Sequence, residues 1–143
     1  MKAEITVIPY LTFYGNCEEA IRVYIGAFGG EILYLSRWMD ETASDAPELT
    51  GRVMHVEFKL GNTRMAAGDC AGRLGENTAI KLMIHMASME EAQKAISVLA
   101  EGGERISPLQ PHPAPDDGGC GSVTRDRFGY AWIITCPNPA KKK

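Results

Sequence analysis

A helix pattern that occurs twice constrains the fold of this chain more than any other feature of its sequence. The first copy begins at Asn16 and ends on Gly29-Gly30, and the second begins at Ser88 and ends on Gly102-Gly103. Each copy starts with an N-cap residue type followed three positions later by Glu, the spacing of a capping box. Each ends on a glycine pair, which suits a terminal residue at positive φ. Because the copies are about half of the 143 residues apart, they predict two copies of one supersecondary unit.

Apolar residues at helical spacing support both predicted helices, 16–28 and 88–101. The stripe consists of Ala20, Tyr24, Ala27 and Phe28 in the first copy and of Ala92, Ala95, Ile96 and Leu99 in the second. β-Branched, aromatic and alternating residues predict one strand before each helix and three after it. The strands are 5–14, 31–38, 52–60 and 63–68 in the first half and 78–86, 105–109, 121–125 and 130–136 in the second.

Both halves therefore follow the order β-α-β-β-β, which predicts an α+β fold with one helix on one face of each sheet. We expect a single domain, with module one at 1–75 and module two at 76–140, whose curved mixed sheet forms a cup on the face away from the helices. Two segments without periodicity, the acidic 39–51 and the Pro-rich 110–119, are predicted loops. Pro9 predicts that the first strand is an edge strand or contains a bulge.

The composition argues against several classes of partner. The net charge is −3 and the pI is near 5.6, so no basic surplus favours nucleic acid. No apolar run reaches the roughly 18 residues of a membrane span, and no signal peptide is visible at the start of the chain. The four cysteines include no C-x-x-C pair, which favours reduced thiols and a cytoplasmic location.

The third predicted strand, 52–60, carries polar residues on one face, because alternate residues of a strand share a face. Apolar Val56, Phe58 and Leu60 alternate there with His55, Glu57 and Lys59, and Lys81 and His85 have the same phase in the second half. A histidine and a carboxylate can transfer protons, and a lysine can hold an anion. We therefore predict His55 and Glu57 as catalytic and Lys59, Lys81 and His85 as ligand-binding. The alternative interpretation is a solvated or dimer-facing surface of structural ion pairs.

Other chemistry-bearing residues give weaker signals. His112 lies in the Pro-rich segment and is expected to be an exposed loop histidine, while Tyr10, Trp38 and Trp132 are expected in the core or a dimer contact. The sequence has no G-x-S-x-G elbow, no P-loop and no Rossmann fingerprint.

Three stretches, 9–31, 54–61 and 123–132, together resemble a known family. The chain is similar to the PhnB-like branch of the vicinal oxygen chelate superfamily, which includes glyoxalase I, extradiol dioxygenases, and bleomycin and fosfomycin resistance proteins. The resemblance implies paired βαβββ modules forming a U-shaped cup, usually in a homodimer. Apolar Leu11, Phe13 and Met83, predicted on the open face of the sheet, also favour a homodimer. The sequence of segment 110–117 differs from that of the corresponding loop in this branch. The ligand preference of relatives therefore does not apply to this chain.

In metal-using relatives each module supplies two metal ligands. The resemblance places these positions at Pro9, Met65, Lys81 and Ile133, which provide no hard donor set for a divalent metal ion. We therefore expect no metal and no cofactor, and a non-metal protein that binds a small organic, anionic ligand in its cup. The alternative is a metal-dependent glyoxalase-like lyase or isomerase, or a dioxygenase.

Overall fold

The computed structural model describes residues 4–72, 75, 77 and 79–141. The chain divides into two compact units, Met1–Leu74 and Gly75–Lys143, which we call module one and module two. No helix within the described residues is long and apolar enough to cross a membrane.

Module one has the predicted βαβββ order. Its elements are β1 (Tyr10–Phe13), α1 (Cys17–Phe28), β2 (Gly30–Arg37), β3 (Val53–Leu60) and β4 (Thr63–Asp69), with a short 3-10 turn at Pro47–Leu49 in the acidic loop. The sheet order is β1-β4-β3-β2. β1 runs parallel to β4, and the other neighbours are antiparallel.

Module two repeats this architecture. Its elements are β5 (Leu82–His85), α2 (Met89–Ala100), β6 (Glu104–Pro111), β7 (Gly119–Arg125) and β8 (Ala131–Pro137), followed by a 3-10 turn at Pro139–Lys141. The sheet order is β5-β8-β7-β6, with β5 parallel to β8. The predicted α+β fold of two βαβββ units is confirmed.

The predicted boundaries of four strands, β1, β5, β6 and β7, are wrong. β1 begins only after Pro9, which has no N–H to donate to a ladder, and it lies at the sheet edge as expected. β5 begins at Leu82, whereas the predicted strand began at Thr78, a position outside the described residues. β6 continues through Pro111 and β7 starts at Gly119, so the loop between them is shorter than predicted. The expectation of an exposed loop histidine is wrong, since His112 is half-buried.

Each helix packs on one face of its own sheet, which we call the helix face; the opposite face is the open face. On β3, Val56 and Phe58 are 1% and 0% exposed, as the alternation predicts. In α2 the predicted stripe is buried in full. In α1 the buried residues are Cys17, Ala20, Ile21 and Tyr24, while Ala27 and Phe28 are half-buried. The apolar stripes therefore form two helix-on-sheet cores.

The N-termini of the two helices are capped differently. The Ser88 hydroxyl accepts a hydrogen bond from the Glu91 N–H at 3.2 Å, as predicted for α2. The side chain of Asn16 makes no capping bond to α1. The carboxylate of Asp69, at the end of β4, accepts from the N–H groups of Gly15 and Cys17 instead. A residue distant in sequence has replaced the predicted local cap.

The prediction of an apolar open face in module one is wrong. Leu11 and Phe13 are 5% and 2% exposed, and they pair in register with Ala67 and Asp69 on the helix face. Only Met83, in module two, lies on the open face as predicted, and it is 67% exposed.

The four cysteines are free thiols. Cys17, Cys120 and Cys136 are buried, and Cys70 is half-buried. Burial, with the nearby charges of Asp69 and Glu18, raises the pKa of Cys17 to about 12. A thiol with so high a pKa is protonated at neutral pH, so Cys17 is a packing residue rather than a nucleophile.

Candidate small-molecule site

The open face of module one carries a lateral row of residues from all four strands. Register places Tyr10 beside Ala66, Ala66 beside Glu57, and Glu57 beside Tyr34. Directly paired residues share a face, so these side chains project together. Tyr10 and Tyr34 are 52% and 56% exposed. The row is therefore a small polar centre between two exposed phenol rings.

The imidazole of His55 lies among these residues. Its ring centroid is 5.8 Å from that of Tyr10, stacked at 25°, and 6.4 Å from that of Tyr34, tilted at 48°. Such separations are typical of favourable ring contacts. The two tyrosines thus limit the orientations available to the imidazole.

Glu57 connects the histidine to a cation. One carboxylate oxygen lies 3.2 Å from Nε2 of His55, and the other accepts a hydrogen bond from Nη2 of Arg64. The side chains of His55 and Glu57 are 35% and 25% exposed, so both groups remain reachable from solvent. His55 and Glu57 therefore lie side by side on the open face of module one.

A second row on the same face carries the other charges. Lys59 pairs in register with Arg64 on one side and with Glu31 on the other. It lies two residues from Glu57 on β3 and so shares its face. Lys59, a predicted ligand-binding residue, therefore lies on the same face as His55 and Glu57. Its neighbours on the two adjacent strands are one cation and one carboxylate.

Gly68 makes room for the ring of Tyr10. A Cβ at Gly68 would lie 2.6 Å from the tyrosine hydroxyl and 2.7 Å from the carbonyl oxygen of Met54. Burial, and the charge of Cys17 if ionised, raise the pKa of Tyr10. The phenol is therefore a neutral hydrogen-bonding group at physiological pH.

Lys81 and His85 belong to the open face of module two. Lys81 is exposed and directly precedes β5. Nδ1 of His85 lies 2.8 Å from the hydroxyl of Thr135, which also donates to the carbonyl of Ile84. The Thr135 hydroxyl therefore holds the imidazole of His85 through its Nδ1.

Three of the four metal positions taken from the resemblance, Pro9, Met65 and Lys81, do not agree with the strand register. Met65 pairs with Phe58 and is 4% exposed on the helix face, so its neighbour Ala66 holds the open-face position of Ile133. Register likewise gives Tyr10, not Pro9, the position of Met83. Methyl, alkyl, thioether and phenol groups do not form a site for a hard divalent ion. Within residues 4–72, 75, 77 and 79–141, no three His, Cys, Asp or Glu side chains cluster as metal ligands.

Sequence reasoning missed Tyr34 and Arg64 and expected Tyr10 in the core or a dimer contact. Tyr10 is half-exposed and stacked on His55. Trp132 is buried as expected, and Trp38 is half-buried with its Nε1 donating to the carbonyl of Asp69. Arg64 is the second residue of the predicted strand 63–68, which follows the strand 52–60 after two residues. Its place opposite Lys59 could have been found by pairing these two predicted strands.

Comparison with known proteins identifies the family. The family described as 3-demethylubiquinone-9 3-methyltransferase matches residues 5–135. The chain belongs to this PhnB-like family. Protein YjdN of Escherichia coli K12 is 29% identical over 138 residues, covering 88% of this chain and 91% of YjdN.

Solved structures share the fold of this chain. The PhnB protein of Bacillus cereus is 24% identical, with a TM-score of 0.78 over 92% of this PhnB-like chain and 99% of its own. The fosfomycin resistance protein FosX of Listeria monocytogenes is 16% identical, with a TM-score of 0.65 over 98% of both chains. At these identities the two structures show the shared fold alone.

Proposed function

We propose that this PhnB-like protein binds a small organic anion on the open face of module one, without a divalent metal ion, and that His55 transfers a proton of that ligand. The observation that carries the proposal is the continuous contact from Arg64 through Glu57 to His55, between two exposed tyrosines. Glu57 accepts from both neighbours. It therefore orients the imidazole, as a carboxylate does for a histidine base.

The surrounding groups favour a ligand with an organic body and an acidic head. The rings of Tyr10 and Tyr34 offer exposed apolar area for the body. Arg64 and Lys59 offer hydrogen-bond donors for a carboxylate or phosphate. Lys81 and His85, on the open face of module two, remain predicted ligand-binding residues. An enolizable carbonyl next to the acidic head would give His55 a proton to remove.

The family description names a methyltransferase, and the superfamily includes metal-dependent enzymes. The sequence has no Rossmann fingerprint for a nucleotide-like methyl donor, and the described open-face residues do not form a hard metal site. The residues present therefore fit neither a nucleotide-like methyl donor nor a hard divalent metal ion. We propose no methyl-transfer step and no metal-dependent step.

The proposal is tested by proton exchange in pyruvate, a small 2-oxo acid with enolizable methyl protons. In D2O we expect the wild-type protein to exchange these protons at least tenfold faster than buffer, since a positioned acid–base group contributes about 10²–10⁴-fold. His55→Ala should abolish the excess rate. It should change the free energy of unfolding by less than about 1 kcal/mol, because the side chain is partly exposed. Proton NMR measures the rate.

Matched controls make this experiment specific. Glu57→Gln should lower the excess rate about tenfold, while Glu41→Gln, on the exposed acidic loop, should leave it unchanged. The rate should also be unchanged by EDTA. A loss of activity with EDTA would favour the metal-dependent alternative. Pyruvate binding at His55 without exchange would overturn the proton transfer and leave the binding role.

We also propose that the protein is a cytoplasmic homodimer. The family resemblance supports this assembly, and exposed Ile80 and Met83 in module two, at 69% and 67%, give apolar area that a partner could cover. Sedimentation velocity at micromolar concentration should give a mass close to twice 15.6 kDa. A single species at the monomer mass would contradict the proposal.

A further inference from the structure

Two of the four cysteines face each other across neighbouring strands of module two. Cys120 on β7 pairs in register with Cys136 on β8, and both free thiols are fully buried on the helix face. Directly paired residues of an antiparallel ladder project from the same face, so the two side chains lie side by side. Cys17 and Cys70 belong to module one. The register therefore brings together two thiols of module two.

The two thiols are in contact with each other. Burial, the charge of Cys120 if ionised, and a hydrogen bond to its side chain raise the pKa of Cys136. The hydrogen bond places the two sulfur atoms next to each other. The Cys136 thiol is therefore protonated at rest, and its partner for a covalent bond is already in place.

The backbone spacing at this pair suits a disulfide. The Asn138 N–H donates to the carbonyl of Gly118 at 2.9 Å, which makes these two residues a hydrogen-bonded pair of the ladder. Such pairs alternate with non-bonded ones, so Cys120 and Cys136, two positions along, form a hydrogen-bonded pair as well. Their Cα atoms are then about 5.5 Å apart, within the roughly 4.4–6.8 Å that disulfides span. A bond between the sulfurs can form without a change of register.

The side-chain spacing makes such a bond strained and therefore reversible. Cβ atoms of directly opposite residues lie about 4.5–5.5 Å apart in an antiparallel pair. A relaxed disulfide needs a Cβ separation of about 3.8 Å, so the two Cβ atoms must move towards each other. Strained disulfides are reduced more easily than structural ones. We therefore expect a link that forms under oxidising conditions and opens again under reducing ones.

Both sulfur atoms are buried, so a reagent reaches them only when the sheet opens locally, and the position of the pair favours this opening. Gly119 and Pro137 form the last register pair of β7 and β8, directly beyond Cys120 and Cys136. β5 pairs with β8 only as far as Thr135. Strand ends open at a lower free energy than the middle of a sheet. A small reagent can therefore reach the thiols without global unfolding.

We propose that Cys120 and Cys136 are a redox-sensitive pair, which forms a reversible disulfide when a low-molecular-weight disulfide acts as the oxidant. One cysteine loses its proton and attacks the small disulfide, which gives a mixed disulfide and releases one small thiol. The second cysteine loses its proton and attacks the protein sulfur of the mixed disulfide, which releases the other small thiol. Two protein thiols are oxidised, one small disulfide is reduced, and the released thiolates take up the two protons. This pair does not depend on the proton transfer proposed for His55.

The test is oxidation of the folded protein by glutathione disulfide, followed by alkylation of the remaining thiols and mass spectrometry. Trypsin places Cys120 in peptide 106–125 and Cys136 in peptide 128–141, so a link joins two separate peptides. We expect these two peptides to be joined, at least tenfold more often than either is joined to Cys17 or Cys70. The intact mass should fall by about 2 Da, because two hydrogen atoms are lost. Millimolar reduced glutathione should restore both thiols.

Two variants make the result specific. Cys120→Ala should abolish the link, while Cys70→Ala, at a half-buried cysteine of module one, should leave its yield unchanged. Should Cys120→Ala fail to fold, the peptide map of the wild-type protein decides alone. The proposal is overturned if peptides 106–125 and 128–141 are recovered unlinked, or if they become linked only after unfolding in urea. A link that persists in millimolar reduced glutathione would also overturn it, because the disulfide would then be a structural one.

Discussion

Replacing Asp69 with alanine is expected to lower the free energy of unfolding by about 3–5 kcal/mol. The carboxylate is 5% exposed and accepts three backbone N–H groups. Gly15 and Cys17 donate to Oδ1 at 2.7 and 3.1 Å, and Val53 donates to Oδ2 at 3.0 Å. Alanine would leave these three donors, including the two that cap α1, without a partner, at a cost of about 1–3 kcal/mol each. Urea denaturation measures the change.

Asn16→Ala is the informative control for Asp69→Ala. If Asn16 capped α1 as its sequence position suggests, its loss would cost about 1 kcal/mol. Its side chain makes no capping bond, so we expect a change of less than about 0.5 kcal/mol. A large effect at Asn16 together with a small one at Asp69 would show that the local cap is the true one.

Gly30→Ala and Gly103→Ala are each expected to destabilise the protein by about 3 kcal/mol or more. A Cβ on Gly30 would overlap the carbonyl of Lys59 on β3, and a Cβ on Gly103 would overlap that of Arg125 on β7. Both Cβ–oxygen distances are well below 3.0 Å, a separation that real Cβ atoms essentially never show. Because the opposing atom belongs to the backbone, the two strands would have to separate. Thermal or urea unfolding of the two variants tests this.

Gly26→Ala is the matched control for these two substitutions. Gly26 lies on the exposed side of α1, and nothing is within 4 Å of its added Cβ. Alanine is the better helix former, so we expect a stabilisation of about 0.5–1 kcal/mol. If Gly30→Ala left the free energy of unfolding as high as Gly26→Ala does, this result would contradict the close approach of β2 to β3.

The glycine pairs illustrate what a local pattern can and cannot predict. The first glycine of each pair has the predicted positive φ, 81° at Gly29 and 72° at Gly102. The second glycine of each pair, which has no Cβ, instead allows a neighbouring strand to come close. That contact depends on strands that are distant in sequence, so no local pattern indicates it.

Strand faces could be predicted only where polar and apolar residues alternate. β3 alternates clearly, and its assignment of His55 and Glu57 to one face and Phe58 to the other agrees with the structure. β4 offers Met65-Ala66-Ala67-Gly68, all buried, so its phase could not be read and Met65 was placed on the wrong face. β1 is four residues long and mixes both kinds of residue, and the error at Leu11 and Phe13 has the same cause.

By itself the sequence determined the two helices, the order β-α-β-β-β in each half and the polar face of β3, because caps, periodicity and alternation act between residues close in the chain. The tertiary structure decided which side chains meet across strands. It placed Tyr10, Tyr34 and Arg64 around the His55–Glu57 pair, put Asp69 at the start of α1 and laid His112 over Gly121. These contacts follow from strand order and register, which are set by the packing of a whole module and not by any one segment.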